Sequence, residues 1–243
     1  MSLFLCLSFL FPPGQPAQKE GNPVFRPQKY ALFRAHKILP PTLSKIVKIN
    51  GKFLFNGFEK GVRVPQKQIN PRLIEHEKRK ITTLIDQQVP FSRVIMQMGY
   101  VGGLLSTFLD PSQAGPSSVK KGFPFYLNRK VPKFLFVFDG YQALGQVHGG
   151  VGNYLSNFNR FRNDQTRILE MKYQQAGSNP YYIFSEQSAV FGICSVYFSN
   201  LASSSAHLWY DAWVEAHGDV RRTPYLHIQT TPVSKGRRRA QKK

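Results

Sequence analysis

Val190-Phe191-Gly192-Ile193-Cys194-Ser195-Val196-Tyr197-Phe198 and His207-Leu208-Trp209-Tyr210-Asp211-Ala212-Trp213-Val214 stand on either side of a run of small residues. Both stretches are rich in β-branched and aromatic side chains, which suit a pleated, half-buried surface. Each reads as a strand, and the small polar residues between them read as a turn. Residues 168–173, 181–184 and 225–230 have the same character, so the last third of the chain is expected to be β-like.

Outward from there, residues 43–49 alternate around Ile46, Val47 and Ile49 and predict another strand. Residues 125–138 are strand-like, with a helix possible up to residue 144. Residues 15–28 are polar and contain proline, which predicts an extended linker. Residues 29–39 read as a short helix ended by Pro40-Pro41, and 51–65 as a loop or hairpin.

The strongest helix prediction begins at Asn70-Pro71. Asparagine is a good N-cap, and proline is preferred at the first helical position. Glu75 and Glu77 sit in the first turns, where the helix dipole favours acids. Ile74, Ile81, Leu84 and Ile85 fall on one face. The run Lys78-Arg79-Lys80 then forms the solvated side, and Pro90 marks the end. Residues 99–122 hold Gly, Ser and Pro without a sustained period, which predicts a long loop. Gly149-Gly150-Val151-Gly152 lacks the Lys-Ser/Thr of a phosphate-binding loop and reads as a flexible connection.

Charge decides the class of partner. The chain of 243 residues has 33 Lys plus Arg against 13 Asp plus Glu, a formal charge of +20. Folding does not require that excess, which raises self-repulsion in the compact state; a polyanion that neutralises it is the natural partner. Residues 1–80 carry 15 basic and 4 acidic residues, 81–175 carry 10 and 5, and 176–243 carry 8 and 4. The whole body is therefore basic, which suits a protein surrounded by RNA. Residues 235–243 hold six basic residues in nine, a tail expected to order on RNA.

Other chemistry is scarce. Cys6 and Cys194 give neither a disulfide framework nor a metal-ligand spacing, and six scattered histidines add none. Asp139, Asp164, Glu170, Glu186, Asp211 and Glu215 are dispersed, with no Ser/His/Asp or Cys/His set, so no enzyme, metal or cofactor is expected. The apolar run at 2–11, followed by Pro12-Pro13-Gly14, is too short to span a bilayer. It is expected to be a retained extension packed on a neighbour, with a targeting peptide as the alternative. No membrane association is expected.

Six short collinear stretches resemble large-subunit ribosomal protein 5, the family that binds 5S rRNA. Pro41-Thr42-Leu43-Ser44-Lys45-Ile46-Val47 is similar to the family's opening strand. Ile85-Asp86-Gln87-Gln88-Val89-Pro90 is similar to its Ile-x-Gly-Gln-x-Pro. Gly122-Phe123-Pro124 resembles the Gly-aromatic-Pro after its mobile loop, and Arg160-Phe161-Arg162 its Arg-apolar-Arg. Asn179 with Glu186-Gln187 keeps the family's separation, and Ile228-Gln229-Thr230-Thr231 resembles its late strand.

The resemblance implies an α+β fold, an antiparallel sheet with helices packed on one face. It divides the chain into an N-terminal extension (1–28), a domain at 29–233 with insertions at about 99–122 and 196–220, and a basic tail at 234–243. It implies a structural role in the central protuberance of the large ribosomal subunit. The partners would be rRNA (5S rRNA if present), P-site tRNA and neighbouring ribosomal proteins, including a small-subunit head protein, without a stand-alone homo-oligomer. Lys45, Lys48, Arg129, Lys130, Arg160 and Arg162 would contact rRNA through phosphates, with Lys235, Arg237, Arg238 and Arg239 of the tail. Lys120, Lys121 and Phe123 would sit on a tRNA-facing loop. The departures from the family pattern suggest an organellar, mitochondrial ribosome, with another organellar or a cytoplasmic ribosome as the alternative. The alternative is a viral jelly-roll coat protein that packages nucleic acid, which the closely spaced strands and basic tail would permit.

Overall fold

A computed structural model describes residues 26–138, 140–141 and 150–226. Helices follow one another along the chain: α1 (Arg26–Lys37), α2 (Pro41–Ile49), α3 (Gly51–Val62), α4 (Pro71–Asp86), α5 (Phe91–Leu109), α6 (Ser117–Lys130), α7 (Gly150–Gln175) and α8 (Ala189–Glu215). Short 3-10 turns lie at Gln66–Gln68 and Val131–Lys133. No strand occurs among the described residues, so the expected α+β fold is overturned. A jelly-roll, which is built from eight strands, is equally at odds with them.

The correction is sharpest where the sequence looked most β-like. Residues 190–198 and 207–214 belong to one helix, α8, and the Ser/Ala run between them is its close-packed middle. Its buried positions explain why. Val190, Ile193, Cys194, Tyr197, Phe198, Leu201 and Ala202 recur at alternating steps of three and one, the period of a helix face. Ser188 caps its start, its hydroxyl accepting from Phe191 N at 3.2 Å. Residues 43–49 lie in α2 and 168–173 in α7, while 181–184 are turn and extended chain. Residues 125–130 lie in α6, 131–133 form a 3-10 turn, and 134–138 have no regular structure. The expected hairpin at 51–65 is mostly α3. The expected loop at 99–122 is the end of α5, a turn and the start of α6. Residues 225 and 226 form a turn. Gly150, Val151 and Gly152, expected to be a flexible connection, are instead the first residues of α7; Gly149, 227–230, the N-terminal apolar run and the basic tail lie outside the described residues.

The helix predicted at Asn70-Pro71 forms as expected. Asn70 Oδ1 accepts from Leu73 N at 3.0 Å, with Pro71 at the first position. The short helix predicted at 29–39 is α1.

α5 and α8 are apolar on nearly every side, which marks buried central helices. They are tied directly: Trp209 Nε1 donates to Met98 O at 3.0 Å, and the Tyr197 and Ser106 hydroxyls meet at 3.1 Å. α1 joins α8 where the Tyr30 and Phe198 rings stack at 5.7 Å. α6 contributes Phe123, edge-on to Tyr197 at 5.8 Å, and Gly122, whose missing side chain makes room for the Tyr173 ring of α7.

The closest approach is between α3 and α5. Gly57 and Gly61 on one helix meet Gly99 and Gly103 on the other, each pair four residues apart. A methyl group built on Gly57 would lie 1.8 Å from Met96 O, and one on Gly99 would lie 1.9 Å from Leu54 O. The two backbones therefore touch without intervening side chains.

α4 crosses α8 through charge as well as apolar contact. Lys78 lies on the same face as Ile74 and Ile81 and is only 3% exposed. Its ammonium reaches Asp211 and Glu215 at 2.5 Å each. The expectation that Lys78 belongs to a solvated run is thus corrected, whereas Arg79 and Lys80 on either side of the stripe are exposed.

Candidate nucleic-acid interface

The acids of this chain are largely occupied within it. Glu59 pairs with Lys29 at 2.7 Å, Glu75 with Arg79 at 2.6 Å and Glu77 with Lys80 at 2.7 Å. Asp211 and Glu215 close on Lys78, and Asp219 on Arg221 at 3.0 Å. Glu186 accepts from Lys130 at 2.9 Å and also from Lys133, and those two ammonium groups lower its pKa. Asp110 is buried. Ser112 N, Ser112 Oγ and Gln113 Nε2 donate to its carboxylate, but burial dominates and raises its pKa. With the acids so engaged, cations dominate what the helices present outward.

One group of cations has rings set among them. Lys45 and Lys48 are exposed on α2, and Lys52 follows on the first turn of α3, two residues after the α2 C-cap Asn50. The end of α1 adds Lys37, whose ammonium stands 4.6 Å from the centre of the Phe33 ring. Phe33 is 42% exposed and Ile49 71% exposed, and Lys52 lies 5.0 Å over the Phe53 ring. His36 sits against Phe33, its ring 4.8 Å away and its Nδ1 2.6 Å from Phe33 O. The helix α2 sets this arrangement. Leu43 and Val47 bury one face, leaving Lys45 and Lys48 on the other.

His36 reports the field of this patch. Its pKa is lowered, first by burial and then by the positive charges of Lys37 and Lys48, against the opposing effect of its bond to the Phe33 carbonyl. Its folded-state pKa therefore lies below the 6.5 of an unperturbed histidine, so the unfolded chain takes up this proton first. Its contribution to stability is complete above about pH 6.5 and is lost as pH falls from there through the depressed folded value. Denaturant midpoints measured between pH 5 and 7 should drop on the acid side in the native protein and drop less in His36→Gln; parallel curves for the two would remove His36 from that slope.

The expected RNA-contacting residues scatter over the fold. Lys45 and Lys48 come together in the patch described. Arg129 is exposed on α6 with its guanidinium 5.5 Å over the Phe125 ring, and Arg160 is exposed on α7. Lys130 is half-buried and held by Glu186. Arg162 turns inward, its Nη1 donating to Phe108 O at 2.7 Å, and its pKa is lowered chiefly by burial. Lys120 and Lys121 are exposed, but on a helix instead of a loop, and Phe123 is buried in the core, where it faces no outside partner. Lys235, Arg237, Arg238 and Arg239 lie outside the described residues.

Sequence reasoning missed Lys37, Lys52, Phe33 and His36. The spacing of Lys45 and Lys48 was available as a signal, but it becomes one face only when 43–49 are helical. Among the described residues no group of three His, Cys, Asp or Glu side chains could hold a metal, and no helix is long and apolar enough to cross a membrane. No family model matches the chain, and no curated protein or solved structure does either.

Proposed function

We propose that this protein binds RNA, with the patch formed by the end of α1, α2 and the start of α3 as its principal contact. The supporting observations are Lys37 over the exposed Phe33, Lys52 over the partly exposed Phe53, and Lys37 and Lys48 both acting on His36, with Lys45 exposed on the same face of α2 as Lys48. Ammonium groups neutralise phosphates and release their counterions. Aromatic faces between them offer stacking surfaces to unpaired bases, as single-strand binders use. The net charge of +20 supplies a long-range attraction that brings a polyanion to the surface before any local contact forms.

A ribosomal and mitochondrial setting rests on the sequence resemblance alone, and the helical fold does not share the sheet which that resemblance implies. The RNA reading stands on charge and geometry and does not depend on it.

Fluorescence anisotropy with a short unstructured RNA tests the proposal. Replacing Lys45, Lys48 and Lys52 together by Gln should weaken binding about tenfold or more at moderate salt and flatten the log–log salt slope by about two. The same substitutions should leave the thermal midpoint nearly unchanged, because all three side chains are exposed. An unaltered slope would remove the patch from the interface. Tighter binding to anionic lipid vesicles or to duplex DNA than to the RNA would replace the proposed partner.

A further inference from the structure

A second polar feature lies between α7 and the turn that leads into α4. It is a cleft of about 570 Å³, within the range of small-ligand pockets. Gln66 and Lys67 line one side, Asn159, Arg162 and Asn163 the other, and the Phe108 ring lies at its base beneath the guanidinium, 5.6 Å away. Asn159, Arg162 and Asn163 are spaced three and one along α7, so they share a single face.

Arg162 is the unusual member. A guanidinium has five N–H donors. Among the described residues it makes one hydrogen bond, from Nη1 to Phe108 O, and its buried Nε has no acceptor. That Nε is closed to water and to a ligand alike, so a ligand in the cleft would take the Nη donors that Phe108 O leaves unused. Asp110 acts on Arg162 only through its charge, because the Asp110 oxygens are engaged by Ser112 and Gln113. Lys67, which is exposed, adds a second cation at the rim. Four primary amides, Gln66, Asn70, Asn159 and Asn163, also line it; Asn70 is taken up in capping α4, and the other three offer paired donor and acceptor groups that match the edge of a base.

We infer that this cleft binds one nucleotide, with its phosphate on Arg162 and Lys67 and its base edge against the amides of Gln66, Asn159 and Asn163. The preference for a nucleotide over another phosphate ester rests on the RNA reading; the phosphate site itself rests on the cleft alone. The same chemistry is offered by a free nucleoside monophosphate and by the phosphorylated end of an RNA chain.

Isothermal titration of the whole protein with UMP, ribose 5-phosphate and inorganic phosphate tests it. UMP should bind more tightly than either of the others, and Lys67→Gln should weaken UMP about tenfold, as expected for loss of one charge-assisted contact. Asn163→Ala should bring UMP down toward ribose 5-phosphate without altering the latter. Both side chains are exposed and leave the Arg162 bond to Phe108 O in place, so the variants should keep the wild-type melting temperature. Comparison of an RNA bearing a 5′-phosphate with its 5′-hydroxyl form then identifies the source: a preference for the phosphate that Lys67→Gln abolishes assigns the chain end, and no preference assigns the free nucleotide. Absence of UMP binding at millimolar concentration, or equal binding of UMP and ribose 5-phosphate, overturns the assignment. The outcome is independent of the α1–α3 patch, because the Lys45/Lys48/Lys52 variant should still take up UMP if it has lost RNA.

Discussion

Gly57→Ala and Gly99→Ala are each expected to destabilise the protein by about 3 kcal/mol or more, the upper range for overpacking, and to lower its thermal midpoint accordingly. The added methyl group would meet a backbone carbonyl at under 2 Å in both cases, Met96 O for one and Leu54 O for the other. A flexible side chain could swing aside, but a helix backbone cannot, so α3 and α5 would have to separate along their length. Gly192→Ala provides the control. It is also helical, but its methyl would meet nothing within 4 Å. Its effect should be stabilising by up to about 1 kcal/mol, the propensity difference between Gly and Ala in a helix. Circular dichroism melts of the three variants check the contrast. Similar midpoints for Gly57→Ala and Gly192→Ala would show that the helices do not pack backbone to backbone.

The second large effect concerns Lys78, and it is asymmetric. Asp211→Asn with Glu215→Gln leaves the ammonium buried with neither carboxylate, which is expected to cost about 3 kcal/mol, toward the low end for breaking a buried pair. Lys78→Met removes the buried charge and keeps the apolar stem. The two carboxylates left behind are 35% and 46% exposed and can rehydrate, so this change should cost about 1 kcal/mol or less. Thr82 Oγ1, which donates to Glu215 at 3.0 Å, also remains to hold that carboxylate. Urea denaturation of the two variants compares them directly. A larger loss in Lys78→Met than in the double acid variant would mean that the pair contributes net attraction instead of compensating a buried cation.

These two sites also show which features were legible before the structure. The start of α4 was, because Asn70 and Pro71 specify a helix N-terminus by local chemistry. Lys78 was legible in principle. It stands four residues after Ile74 and three before Ile81, on the apolar stripe, but a run of three basic residues suggests water more strongly than one position suggests burial. α8 was misread because Val, Ile, Phe, Tyr and Trp favour strands locally, while the positions outside its core face, such as Gly192, Val196 and Ser199, carry no charge to mark a solvated side. The small residues at 202–206 completed the error, since the same Ser and Ala that suggest a turn allow close helix packing. The glycines of α5 were taken as loop for the same reason. Only the facing pair on α3, also spaced by four, supplies their meaning, and that pairing is tertiary. The basic patch followed the same course: its charge was visible, and its geometry waited on α2 being a helix.

The contact between Tyr30 and Phe198 spans 168 positions of chain, whereas the α3–α5 crossing joins segments about 40 apart. Contacts between distant segments carry the larger loop-closure cost and form later in folding. α3, α4 and α5 are therefore expected to form first, with α1 joining when α8 arrives. Since the end of α1 brings Phe33, His36 and Lys37 to the basic patch, that surface is expected to reach its final form late in folding. Pulse-labelled hydrogen exchange during refolding should protect the amides of α5 before those of α1, and simultaneous protection would place both in one step.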